Sequence, residues 1–104
     1  MADLTVLDEI AAERRRQVEE EGFDADHDAA ITLGHRHPPL ALAAACYALA
    51  GAEYDGEEIR AFWPWDSEWW KPTTPRRDLI KAGALILAEI ERLDRAAQEA
   101  TDAP

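Results

Sequence analysis

Apolar residues recur along this chain at helical spacing, and three segments carry the pattern strongly. In the first, Leu7, Ile10, Ala11, Arg14 and Val18 share one face of a helix that Thr5 or Asp3 can cap and Gly22 ends. Thr5 followed three residues later by Asp8 is a weak relative of the capping box. The second segment, from Pro39 to about Ala50, reads PLALAAACYALA. It is apolar all the way round, so the helix it predicts is buried on several sides. The third starts near Thr74-Pro75 and runs to about Ala97, with Leu79, Ala82, Gly83, Ile86, Ile90, Leu93 and Ala97 as its stripe. Residues 23–38 carry Gly34 and Pro38 as breakers and predict a loop with one helical turn around Ala29 to Leu33. Residues 52–75 contain Gly56, Pro64, Pro72 and Pro75 and predict an irregular connection holding a short helix over Glu57 to Phe62. The expected fold is all-α: a small bundle of three main helices with a long Trp-rich connection. It forms one domain over residues 1–104, with its core in 4–98 and a frayed tail over 99–104.

Two helices that are greasy on every side exceed what a three-helix monomer of this length covers, and surplus apolar surface becomes interface. A homodimer or larger assembly is therefore expected to complete the bundle. Gly83 would let two backbones approach closely in that contact; a tight helix contact within one chain accounts for it equally well.

Charge changes the picture next. Twenty-two acidic residues against 11 basic ones give a formal net charge of −11. That field repels nucleic-acid phosphates and argues against general DNA or RNA binding. The partners left are a cation, a metal-complexed anion or a basic protein surface. Cys46 is the sole cysteine, so no disulfide can form within the chain, and its apolar setting argues against a nucleophile. No run reaches the roughly 18–20 apolar residues of a membrane span. Met1-Ala2-Asp3 lacks the basic start of a signal peptide. The expected setting is the cytoplasm, with no membrane partner.

Three groups of residues could carry chemistry. Trp63, Trp65, Trp69 and Trp70 fall in one eight-residue stretch that Lys71 follows. Clustered indoles either wall a pocket that stacks a planar base or plug an irregular loop onto the bundle. Lys71, Arg76, Arg77 and Lys81 gather at the start of the last helix. There they either form an anion site with the helix amides or pair with surplus carboxylates. Glu13, Gln17, Glu20 and Glu21 run at i, i+4, i+7 and i+8 along one edge of the first helix, and Asp78 and Glu89 flank the stripe of the last. Acids from facing helices build Mg²⁺ sites in bundles, here with the His27-Asp28 pair between them, although helical glutamates are also commonly just solvated. His27, His35 and His37 come with no helical HExxH and no paired cysteines, so zinc has no signature here. No Gly-rich phosphate loop is present.

Three stretches, ERRRQVEEEGFDADHD (13–28), AAACYA (43–48) and WPWDSEWWKPTTPRRDLIKAGALILAEIERLDR (63–95), resemble a family of small bacteriophage and prophage proteins. That family is classed as dATP/dGTP pyrophosphohydrolase-like and is loosely related to the all-α MazG-type nucleoside triphosphate pyrophosphatases. The resemblance implies a helical fold, assembly as dimers or larger, and Mg²⁺-dependent cleavage between the α and β phosphates. On the matching positions, Glu13, Glu21, Asp28, Asp78 and Glu89 would supply Mg²⁺ oxygens, with Glu21, Asp28 and Lys81 catalytic. Gln17, Lys71, Arg77 and Lys81 would hold the nucleotide, and Trp63, Trp65 and Trp70 would stack the base. Two departures stand out: Ala29-Ala30 follow Asp28 where the family has a further acid, and His37-Pro38-Pro39-Leu40 lacks the expected glutamate. The missing carboxylate near Leu40 favours the alternative, a non-catalytic acidic phage-type protein that binds a nucleotide signal or a basic host protein, whereas the 63–95 block favours the enzyme, which is the leading expectation.

Overall fold

A computed structural model describes residues 4–102 of the chain. Five α-helices follow one another: α1 (Val6–Glu21), α2 (Ala25–Thr32), α3 (Pro39–Gly51), α4 (Gly56–Arg60) and α5 (Pro75–Asp102), with a 3₁₀ turn at Ser67–Trp69. No strand occurs among the described residues, so the fold is all-α. At 28 residues α5 is the spine, about 42 Å long at 1.5 Å per residue. Its most extensive contact is with α3, and its next with α1. The alanines explain the closeness: Ala43 and Ala44 of α3 meet Ala82 and Ala88 of α5, with Leu40, Tyr47 and Leu85 filling the remaining space. Trp63, Trp65 and Trp70 pack partly buried against this core. The molecule is a slab, 47 × 43 × 20 Å.

Local chemistry explains the helix ends. Thr5 caps α1 reciprocally: the Asp8 amide donates to Thr5 Oγ1 at 3.1 Å and the Thr5 amide donates to Asp8 Oδ2 at 2.9 Å. The alternative cap, Asp3, lies outside the described residues. Gly22, at φ 76°, adopts the left-handed conformation that ends α1 and turns the chain back.

Three expectations about the elements are corrected. Residues 25–32 form a full helix rather than a loop with one turn, because Asp24 caps it through the His27 amide at 3.0 Å and both breakers lie beyond its end. The last helix continues to Asp102, so residues 99–102 are helical rather than frayed. The faces also differ. In α1, Leu7 is exposed and the buried residues are Glu13, Arg14 and Gln17. In α5, Leu79, Ile86, Ile90 and Leu93 are each about half exposed, at 49–51%. The core instead takes Ile80, Ala82, Ala84, Leu85 and Ala88. A helix that is apolar nearly all round offers several faces, and packing against the alanine-rich α3 selects the one with the smallest side chains.

Gly83 is accounted for within the chain. A Cβ there would stand 3.1 Å from Ile10 Cδ1, so the glycine lets α1 cross α5 closely.

Candidate functional site

A cleft of about 880 Å³ opens between α1, α2 with the following His35, Tyr47 of α3, the Trp-rich segment and α5. That volume lies in the range of small-molecule sites. Its aromatic wall begins where Gly22 returns the chain. Phe23 and His27, four residues apart, stack almost parallel, with centroids 4.7 Å apart and planes at 6°. Trp65 leans on Phe23 at 5.9 Å, and Trp63 meets Trp65 edge-on at 5.3 Å. Trp63 is held by its indole N–H, which donates to the Asp66 carbonyl at 3.0 Å. Tyr47 closes the floor, edge-on to Trp63.

Two cations lie against aromatic rings of the same cleft. Lys81 Nζ donates to the Lys71 carbonyl at 2.9 Å and lies 5.3 Å from the centre of the Tyr47 ring. Burial pushes the Lys81 ammonium below the ordinary lysine value, and nearby Asp78 opposes the shift. Lys71 stands over Trp69, and both line the cleft.

The acids come from α1. Glu13, Gln17, Glu20 and Glu21 all face the cleft, as their spacing allows. Glu13 is 2% exposed. Burial pushes its carboxyl up, but Arg16 and Arg77 outweigh that and leave it below the usual glutamate value. Gln17 is 3% exposed, and its Oε1 is buried without a hydrogen-bond partner. Such an orphan acceptor costs about 1–3 kcal/mol. Arg16 binds Glu13 through two bonds of 2.8 Å and Glu21 at 2.9 Å. Among the described residues, no three His, Cys, Asp or Glu side chains group on their own into a metal-holding set. The carboxylates of α1 meet on the Arg16 guanidinium instead.

The expected ligand set therefore divides. Asp28 is 0% exposed, pairs with Arg14 Nη2 at 3.1 Å, and has His27 Nδ1 3.1 Å from its other oxygen. Burial raises its carboxyl above the ordinary aspartate value in spite of these partners. Glu89 makes a two-bond pair with Arg92, at 2.6 and 2.8 Å. Asp78 accepts from the Thr73 amide at 2.9 Å and faces a smaller cleft that Trp70 also lines. None of the three lines the main cleft with Glu13 and Glu21. The reason is lateral: α5 turns Glu89 toward Arg92, and α2 turns Asp28 under Arg14. Trp70 is likewise withdrawn, packed at 4.8 Å on both Tyr47 and Trp63.

The start of α5 is not a free anion site. Its Arg77 amide donates to Thr74 Oγ1, Arg76 pairs with Glu9 at 2.7 Å, and Arg77 is bonded to Glu13. Both arginines pair with acids, and only Lys71 and Lys81 of that basic group line the cleft.

Arg14, the charge in the middle of the apolar stripe, proves to be a strut. It donates to the Phe23 carbonyl at 2.8 Å and to Glu91 at 2.8 Å, besides holding Asp28, and so joins α1, α2 and α5. Sequence reasoning passed over Arg16, Phe23 and Tyr47 as cleft residues. Arg16 alone left a signal, since it stands at i+3 from Glu13 and i−4 from Glu20.

Cys46 is buried and its thiol is raised by burial, which fits an inert core residue. No helix among the described residues is long and apolar enough to cross a membrane. Compared with protein-family profiles, curated proteins and solved structures, the chain matches none.

Proposed function

We propose that this protein is a Mg²⁺-dependent nucleoside triphosphate pyrophosphatase acting on deoxypurine triphosphates, akin to the dATP/dGTP pyrophosphohydrolase-like family and more loosely to MazG-type enzymes. One observation carries the reading: a single cleft sets an aromatic wall beside two lysines and a line of hard oxygen donors. The wall of Phe23, His27, Trp63 and Trp65 offers flat faces for a purine. Lys71 and Lys81 offer their ammonium groups to the phosphates. The donor set of Glu13, Gln17 Oε1, Glu20 and Glu21 is all oxygen, as Mg²⁺ prefers. When bound, the metal neutralises phosphate charge and lowers the pKa of a water molecule. Hydrolysis of the α–β phosphoanhydride by one water would give a deoxynucleoside monophosphate and pyrophosphate.

Asp28, Glu89 and Asp78 are left out of this metal set. Asp28 acts at one remove: its contact with His27 holds the ring that stacks on Phe23. Incubating the pure protein with each dNTP and Mg²⁺ is expected to release pyrophosphate, fastest from dATP or dGTP, and EDTA is expected to stop it. No pyrophosphate from any dNTP, with nucleotide retained on the protein, would select the second reading, a non-catalytic nucleotide binder. That reading is favoured by the closure of the α1 carboxylates onto Arg16.

The proposed assembly is a homodimer built on α5. Ile86, Ile90, Leu93 and Ala97 alternate steps of four and three, the spacing of a coiled-coil seam, and the chain's own core uses a different face. A slab only 20 Å thick cannot cover that seam by itself. Light scattering is expected to give twice the chain mass, and Ile86→Glu with Ile90→Glu is expected to return the monomer. A wild-type monomer at all concentrations would reject the seam.

A further inference from the structure

Arg16 lines the cleft beside the proposed oxygen donors, yet the pyrophosphatase reading gives it no part. Its guanidinium takes both oxygens of Glu13 and one of Glu21, and Nη1 lies 3.5 Å from Glu20 Oε2. Three carboxylates of α1, adjacent Glu20 and Glu21 and Glu13 two turns before them, thus converge on one cation. Beside them stands Gln17, 3% exposed, lining the same cleft with a bare buried Oε1. An acceptor left without a donor next to three anions is an incomplete oxygen shell. A guanidinium cannot complete it, because its planar fork is spent on the carboxylates; a divalent cation, which takes oxygens from all directions, can.

We infer that Arg16 is an exchangeable counter-ion: in the free protein it occupies the place of the divalent cation, and the arriving metal–nucleotide complex releases it onto the phosphates. The inference rests on the pyrophosphatase reading for the identity of the anion. Arg16 engages both oxygens of Glu13 and one of Glu21, and Arg77 also bonds Glu13, so a metal ion arriving alone must displace Arg16 from these carboxylates and strand the guanidinium. A metal ion arriving with a polyphosphate brings the freed guanidinium a new bidentate partner within the cleft it already lines. Metal and nucleotide therefore bind with positive coupling, and each must raise the affinity of the other by the same factor.

The test is Mn²⁺ titration of the full chain, followed by electron paramagnetic resonance. It is run with and without a dATP analogue whose α and β phosphorus atoms are joined by methylene. Wild type is expected to bind Mn²⁺ weakly alone and about tenfold more tightly with the analogue. Arg16→Gln is expected to bind Mn²⁺ alone about tenfold more tightly than wild type and to lose the coupling. Arg16→Lys falls between, because an ammonium cannot span three carboxylates. Arg15→Gln removes an equal but exposed charge that bonds no carboxylate among the described residues and is expected to leave Mn²⁺ affinity near wild type.

An unchanged or weaker Mn²⁺ affinity in Arg16→Gln, or an equal rise in Arg15→Gln, would overturn the inference. Should Arg16→Gln fail to fold, the wild-type coupling and the Arg16→Lys affinity decide: absent coupling, or no gain in Arg16→Lys, rejects it. The two proposals fail separately. Pyrophosphate release with no Arg16 effect removes the counter-ion alone. A gain in Mn²⁺ affinity without any dNTP hydrolysis removes the pyrophosphatase reading and leaves the exchange standing.

Discussion

Glu13→Gln is expected to lower the rate of pyrophosphate release by about 10²- to 10³-fold, the loss typical of removing one electrostatic clamp from a phosphoryl site. Glu13 is the most buried of the cleft carboxylates and the one on which Arg16 and Arg77 both converge. The amide preserves its shape, so helix content should be unchanged while the negative charge that draws both arginines and, on the proposed function, a metal ion disappears. Measured rates within a few-fold of wild type would remove Glu13 from the site. The same variant has a pH signature. Two guanidinium groups hold Glu13 below the ordinary value, so its contribution to stability is present above about pH 4.3 and is lost as pH falls through the lower folded value. Urea midpoints between pH 3 and 6 should show this acid limb in wild type and a flatter one in Glu13→Gln.

Asp28→Ala is expected to have the largest effect on stability, about 3–5 kcal/mol, because it strips a partner from a buried pair. For a domain of this length that lowers the melting temperature by roughly 12 °C or more. Asp28 is wholly buried between Arg14 and His27, and Arg14 is the strut that ties three helices together. Arg14 keeps Glu91 and the Phe23 carbonyl, which places the loss at the low end. Here the pH sign reverses. Burial raises Asp28 above the ordinary aspartate value, so the proton-linked part of its stability, additional to the Arg14 pair counted at neutral pH, is full below about pH 3.9 and is lost as pH rises through the folded value. The gap between wild type and variant should therefore widen on acidification. A melting temperature within about 3 °C of wild type at neutral pH would show that the strut does not depend on this acid.

Asp28 also illustrates how far a sequence can be read. Its type and its place beside His27 marked it as a site residue, yet the same features suit a structural acid, and only the position of Arg14 on the neighbouring helix distinguishes them. Glu89 repeats the lesson, since Arg92 at i+3 was visible in the sequence but its capture of the carboxylate depends on how α5 is rotated. For Glu13, Gln17 and Glu21 the outcome differed, because all three ride on one helix and their relative positions need no tertiary information.

The order of amino acids by itself determined much of what local periodicity and capping set, the Asp24-capped α2 excepted. That covers the all-α class, the Thr5 cap, the Gly22 stop, the line of oxygens along α1 and the grouping of the tryptophans beside Lys71. These features are decided within a few residues, where steric and hydrogen-bonding rules are strong. Tertiary structure decided which apolar face of α5 is core, that Gly83 serves Ile10, that Arg16 gathers three carboxylates, and that Asp28, Asp78 and Glu89 are held elsewhere. Those outcomes depend on the rotation of one helix against another. A helix that is nearly apolar all round leaves that rotation to the packing of small against large side chains across the whole molecule.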